Sequence, residues 1–166
     1  MRCSDAPGFE AALGGRLSGA RSLAVVGVGD ELSPHDRLGI LAAGKIGCLG
    51  LAGVQVFLAG TMPESITAPV KRAGPSHILF IDSAAMGKEP GTLGIIDACD
   101  VHGDLLIAHA LPLPVVMEYL EKEAKAPVTL VGIQPDLSAS GEKPTAAEEQ
   151  GIAKLVSLLE EILAGK

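Results

Sequence analysis

The chain has 166 residues, 48% of them hydrophobic and 20% charged, which excludes intrinsic disorder and leaves enough apolar material for one domain spanning residues 1–166. Aromatic residues are only 2%, with no Trp, which argues against stacking platforms for single-stranded nucleic acid. Thirteen Lys and Arg against 20 Asp and Glu give a net charge of −7, the wrong sign for a surface that tracks phosphates, so a macromolecular partner is expected to be a protein rather than nucleic acid.

In chain order, the N-terminus through Leu17 lacks an apolar signal-type core, so no secretory leader is expected, and Phe9, Leu13 and Leu17 recur at helical spacing. Ser22 to Val28 is a continuous β-prone run, short enough for a buried parallel strand. Leu38, Leu41, Ala42, Ile46 and Leu49 predict a helix with the Lys45 amine reaching outward. Ile46 to Pro63 carries no charge and approaches bilayer-spanning length, but Gly47, Gly50, Gly53 and Gln55 interrupt it. It reads as the end of that helix, a turn, and a strand over Val54 to Leu58, with no membrane insertion. Thr61-Met62-Pro63-Glu64 has the form of a capping box opening a helix to about Ala73, which Gly74-Pro75 stops.

Ile78 to Ile81 predicts a third strand ending on Asp82, and Thr92 to Ile96 a fourth. The connection between them is too short for a helical crossover, so the two are expected to pair antiparallel. A helix starting at Pro112 or Pro114 carries Val115, Val116, Tyr119 and Leu120, and Pro127 to Ile133 is a fifth strand. Pro135 to Pro144 reads as a polar, mobile loop, and Thr145 with Glu148 caps a last helix striped by Ile152, Leu155, Val156, Leu159, Ile162 and Leu163. The expected fold is α/β, a three-layer α/β/α sandwich around a mixed, mostly parallel five-stranded sheet.

Ligands of open α/β sheets gather beyond the carboxyl ends of the parallel strands, and three ionisable residues fall there. Asp36 follows the first strand through Gly27-Val28-Gly29-Asp30 and sits where the next helix begins, where an N-cap is the commoner outcome on spacing alone. Asp82 ends a fully apolar strand, where a carboxylate is costly unless paired, hydrogen-bonded or metal-bound; its alternative is a turn residue ordering Ser83 and Ala84. His109 stands between Ile107-Ala108 and Ala110-Leu111-Pro112, where a structural histidine is the commoner outcome. Together Asp36, Asp82 and His109 offer two oxygens and one imidazole nitrogen, a workable set for a divalent metal with open positions.

The other candidates are weaker. His35 adjoins Asp36, His77 precedes a strand, and His102 lies in a polar turn. Cys3, Cys48 and Cys99 are odd in number and form no C-x-x-C, so neither a zinc knuckle nor a disulfide framework is encoded, as suits a reduced cytoplasm. A dinucleotide fingerprint fails because Leu32 stands at the third glycine position.

These segments resemble the hydrogenase maturation endopeptidases, most closely the type serving hydrogenase 3-like NiFe enzymes. Gly27 through Gly39 is similar to the family's G-x-G-N-x-x-x-x-D-D-x-x-G segment, and Gly60-Thr61-Met62-Pro63-Glu64 to its G-x-x-P-E turn. Asp82 to Gly87 with Pro90-Gly91 resembles D-A-x-x-M-G…P-G, His109-Ala110-Leu111-Pro112-Leu113 the histidine loop, and Gly132-Ile133-Gln134-Pro135 the G-I-x-P element. Asp30 stands where Asn is common, His35 where the first acid of the D-D pair is usual, and Ala85 where some relatives have an acid. The resemblance covers roughly Ser22 to Leu163.

The resemblance implies a nickel-dependent endopeptidase that removes the C-terminal extension from a NiFe hydrogenase large-subunit precursor after nickel insertion. It carries the family's two acids and histidine onto Asp36, Asp82 and His109 as catalytic residues that recognise nickel held in the precursor. Glu64 and Gln134 become weaker candidates for orienting the substrate tail, with turn contacts as their alternative. A cytoplasmic monomer is the default expectation. Two other readings stand beside it: a non-cleaving nickel-checkpoint or assembly protein of the same fold, and a small-molecule or nucleotide-binding α/β domain, which the broken glycine fingerprint disfavours.

Overall fold

Strict alternation of side chains along the central strands sorts the helices into two layers, and the computed structural model shows how. It describes residues 6–97 and 112–165. In order these form α1 (Ala6–Arg16), β1 (Leu23–Val28), α2 (Leu38–Cys48), β2 (Val54–Gly60), a 3-10 turn (Pro63–Ile66), α3 (Thr67–Ala73), β3 (His77–Ser83), β4 (Leu93–Ile96), α4 (Leu113–Ala124), β5 (Val128–Ile133) and α5 (Ala146–Ala164). Leu23, Val25, Leu79, Ile81, Val131 and Ile133 point to one face and pack with α1, α2 and α5. Their neighbours Ala24, Val26, Ile78, Phe80 and Leu130 point to the other and pack against α3 and α4. With both faces covered, all six residues of β1 are buried, which is why its sequence is a continuous apolar run rather than an alternating one. The result is the expected three-layer α/β/α arrangement.

The sheet order is β2-β1-β3-β5-β4, with every pairing parallel except β4 on β5. The expected direct pairing of the third and fourth strands is therefore corrected: β4 does run antiparallel, but β5 lies between it and β3. The free edge of β3 matches β5 over six residue pairs, Ile78↔Val128 to Ser83↔Ile133. The four-residue β4 is left at the outer edge, where a short strand exposes little unpaired backbone.

The capping box expected at Thr61 is also corrected. Met62, which precedes a proline and so is steered to extended backbone, occupies the N-cap without a side-chain cap, and the chain enters through the 3-10 turn. The box at the start of α5 forms as expected: Thr145 Oγ1 accepts the Glu148 N–H and Glu148 Oε2 accepts the Thr145 N–H. The uncharged stretch after Ile46 divides into the end of α2 and β2, and among the described residues no helix is long and apolar enough to cross a membrane.

Two features fix the carboxyl rim of the sheet. The first is the seating of α2. A Cβ at Gly39 would lie 2.2 Å from the Ile81 carbonyl oxygen, 2.4 Å from that of Val28 and 2.8 Å from Asp82 Cα, so only glycine lets the first turn of α2 rest on the ends of β1 and β3. The second is the stitching of the loop after β5, expected to be mobile but tied at several points. His35 Nε2 donates to the Ala139 carbonyl at 2.9 Å, and the Asp136 N–H donates to Glu148 Oε1 at 2.8 Å. The Ser138 hydroxyl, helped by the Ser138 N–H, holds the Asp136 carboxyl below its usual range.

Gly39→Ala is expected to lower the unfolding free energy by about 2 kcal/mol or more in chemical denaturation, because backbone rather than a yielding side chain stands in the way. Gly44→Ala, in the same helix with nothing within 4 Å of the new methyl, is expected to gain up to about 1 kcal/mol. His35→Ala is expected to accelerate amide hydrogen exchange over residues 137–143 while leaving β5 protected.

Candidate active site

The loop from β1 to α2 is built to hold Asp36 against the sheet. Asp30 N–H donates to the Asp36 carbonyl at 2.9 Å, Asp36 N–H to Ser33 O at 3.1 Å, and Asp30 Oδ1 takes the Leu32 N–H at 2.9 Å. Gly29 has φ +127°, and a Cβ there would fall 1.9 Å from the Asp36 carbonyl oxygen and 3.5 Å from Asp36 Oδ1. The Asp36 side chain thus lies over a bare stretch of backbone and is only 8% exposed. It is not the N-cap of α2: that position is Arg37, which makes no side-chain cap, and the Leu38 N–H is taken instead by Ser83 Oγ at 3.1 Å.

That bond ties the two carboxylate segments together. Asp82 is the penultimate residue of β3, in register with Gly132 and 1% exposed. Its Oδ1 accepts the Ser83 N–H at 2.8 Å, while the Ala84 N–H goes to the Ile133 carbonyl, so the turn-residue alternative accounts for one contact of the two it required. Asp36 and Asp82 therefore share one rim, with Leu38 and Ser83 as the link. Burying a carboxylate is costly unless hydrogen-bond donors or a cation compensate it, and the chemistry carboxylates support at a strand rim is cation ligation or activation of water.

The third expected member, His109, lies outside the described residues, as do His102, Cys3 and Cys99. Among the described residues no three His, Cys, Asp or Glu side chains are grouped to hold a metal ion. What the described residues show is two buried carboxylates, Asp36 and Asp82, carried by segments joined through Leu38 and Ser83.

Other candidates resolve differently. Gln134, 3% exposed, is spent on structure: its Oε1 accepts the Met86 and Lys88 N–H groups at 2.6 and 3.3 Å, and its Nε2 donates to the Pro135 carbonyl. It holds the loop that leaves Asp82 and is not free to orient a substrate tail. His35 clamps two loops, and His77 opens β3 beside Ser76 at the opposite end of the sheet. Glu64, in the turn after β2, keeps its candidacy, because its Oε2 is buried with no hydrogen-bond partner among the described residues. Arg37 was not singled out by the sequence and is the more unusual finding. It is 2% exposed, and its Nε and Nη2 are buried without hydrogen-bond partners among the described residues. An arginine at the start of a helix looks like an ordinary surface cation, and no pattern in the chain marks it otherwise.

Beside Gly29 a groove of about 410 Å³ opens between the first loop and β2, lined by Asp30, Glu31, Leu32, Leu58 and Thr61. Leu32 is 90% exposed, and Leu58 and the nearby Met62 are each more than half exposed.

Comparison with known proteins agrees with this architecture. The family model HycI, hydrogenase maturation protease, matches residues 49–163. The hydrogenase 3 maturation protease of Escherichia coli K12 is 31% identical over 111 residues, covering 66% of this chain and 70% of that protein. The crystal structure of a NiFe hydrogenase maturation protease HycI from Thermococcus kodakarensis KOD1 superposes with a TM-score of 0.81 at 27% identity, covering 92% of this chain and 99% of that one. The solution structure of the endopeptidase HycI from Escherichia coli gives 0.72 at 25% identity, over 84% and 90% of the two chains. With the family model spanning well over half of its length, the chain belongs to the hydrogenase maturation protease family.

Proposed function

We propose that this protease removes the C-terminal extension of a NiFe hydrogenase large-subunit precursor after nickel has entered it, acting as a cytoplasmic monomer. Asp36, Asp82 and His109 are the residues that meet the nickel carried by the substrate, and cleavage is licensed by that encounter. The single observation that carries this reading is the seating of the Asp36 segment on the end of β3, which puts two buried carboxylates at one rim of the sheet. Carboxylate and imidazole groups suit a divalent ion whose remaining positions are filled by the precursor, and a precursor without nickel would bring no such ion to them.

The substrate tail fits the groove beside Gly29. Its exposed Leu32 and Leu58 offer apolar contact, its Asp30 and Glu31 favour a tail carrying basic residues, and its inner end runs into the backbone that Asp36 covers. Hydrolysis adds one water across the peptide bond, leaving a carboxylate on the large subunit and an amine on the released tail. In this reading one of the two carboxylates, Asp36 or Asp82, takes the proton that water loses.

Incubation with nickel-loaded precursor is expected to shorten it by one C-terminal peptide, read by gel shift and by intact mass, while nickel-free precursor stays whole. Asp36→Ala, Asp82→Asn and His109→Ala are each expected to slow processing on the order of 100-fold or more without loss of the folded state by circular dichroism. A precursor that binds but keeps its full mass would mean a checkpoint protein without cleavage. Unchanged processing by the Asp36 and His109 variants would overturn the site assignment.

A further inference from the structure

The buried polar groups near the rim are satisfied with some care. Glu148 is fully buried and takes two backbone N–H donors, Gln134 uses its oxygen and its amide nitrogen, and Ser83 takes the Leu38 N–H. Glu64 Oε2 is one buried atom outside such bonds, and Arg37 is the larger case. It is a full residue of positive charge, 2% exposed, with Nε and Nη2 both buried and lacking hydrogen-bond partners among the described residues. None of the ion pairs among the described residues includes it: those join Arg16 to Asp97, Lys71 to Glu123, Lys122 to Glu118 and Lys154 to Glu10, all at the surface. A buried Lys or His relieves such a position by losing its proton, but a guanidinium stays charged at every pH at which proteins fold. The cost therefore persists in the free protein, and a native structure keeps such a group where a ligand later satisfies it.

Its place in the fold says what that ligand offers. Arg37 lies between Asp36 and the Leu38 whose amide is fixed to Ser83, so its backbone is anchored at the centre of the carboxylate rim. A guanidinium presents donors only, in a planar fork that matches an acceptor oxygen, best of all a carboxylate. We propose that Arg37 is a substrate-binding residue whose guanidinium takes a carbonyl oxygen in the C-terminal segment of the precursor. The proposal rests on the preceding reading of the site. The peptide supplies the acceptor that the fold withholds.

Three measurements test this on the full chain, with Arg37→Met as the volume-conserving apolar variant and Arg37→Lys as the charge-conserving one. In thermal denaturation without substrate, Arg37→Met is expected to melt above the wild type, since it removes an unpaired buried charge. A lower melting temperature, or failure to fold, overturns the proposal, because the guanidinium would then be serving the fold. With nickel-loaded precursor, Arg37→Met is expected to raise KM on the order of tenfold with a smaller change in kcat, and Arg37→Lys to restore part of the loss; an unchanged KM overturns it. The third measurement needs no precursor. Acetate, a small carboxylate, is expected to shift the Arg37 Nε resonance of the wild-type protein in a saturable titration, and no shift overturns the proposal. If the wild type leaves every nickel-loaded precursor intact, the proposed function fails, whereas the melting and acetate results still decide whether Arg37 is an open acceptor site.

Discussion

The structure depends on the close approach of α2 to the strand ends. At Gly39 the helix backbone comes within contact of the Val28 and Ile81 carbonyl oxygens and of Asp82 Cα, a spacing that any side chain would prevent. Because α2 starts there, the residues just before it have one place to go. The Leu38 amide meets Ser83 Oγ, Asp36 folds back over Gly29, and the carboxylate reached from β1 comes to the same rim as the one carried by β3. A glycine contact with no chemistry of its own thus determines where the chemistry sits.

Around this contact the loops are held from outside the rim rather than by the acids themselves. Gln134 secures the segment leaving Asp82, Glu148 secures the start of the loop after β5, and His35 joins that loop to the one preceding α2. The polar residues that surround the carboxylates therefore carry structural work. Arg37 and Glu64 stand apart, with buried polar atoms that no described group satisfies.

Much of the architecture was legible in the chain because its cause is local. A run such as Leu23 to Val28 can only be a strand covered on both faces, the 3.6-residue stripe of α5 follows from its own sequence, and the Thr145–Glu148 box needs only the four residues that form it. The misread elements are those whose outcome depends on distant partners. Thr92 to Ile96 is a strand by composition, but its neighbour is decided by competition for the free edge of β3, which the longer β5 wins. Thr61 carries the letters of a capping box, yet the proline two residues on sets where the helix can begin. The loop from Pro135 to Pro144 looks mobile from its polar composition, and is tied down by His35, which lies 104 residues from its partner Ala139.

The candidate site divides in the same way. The sequence by itself marked Asp82, because a carboxylate ending an apolar run is visible to anyone counting along the chain. It also marked Asp36, in the segment that leads from the first strand to the next helix, and it carried the family resemblance that named His109 with them. Only the tertiary structure decided that Asp36 is not the cap of α2, that Gln134 is a clamp, and that Arg37 is buried with its Nε and Nη2 lacking hydrogen-bond partners among the described residues. Position along a strand is a property of local pattern, whereas burial and hydrogen-bond satisfaction are properties of everything that packs around a residue. One letter in a sequence cannot distinguish an arginine in water from an arginine that packing has buried.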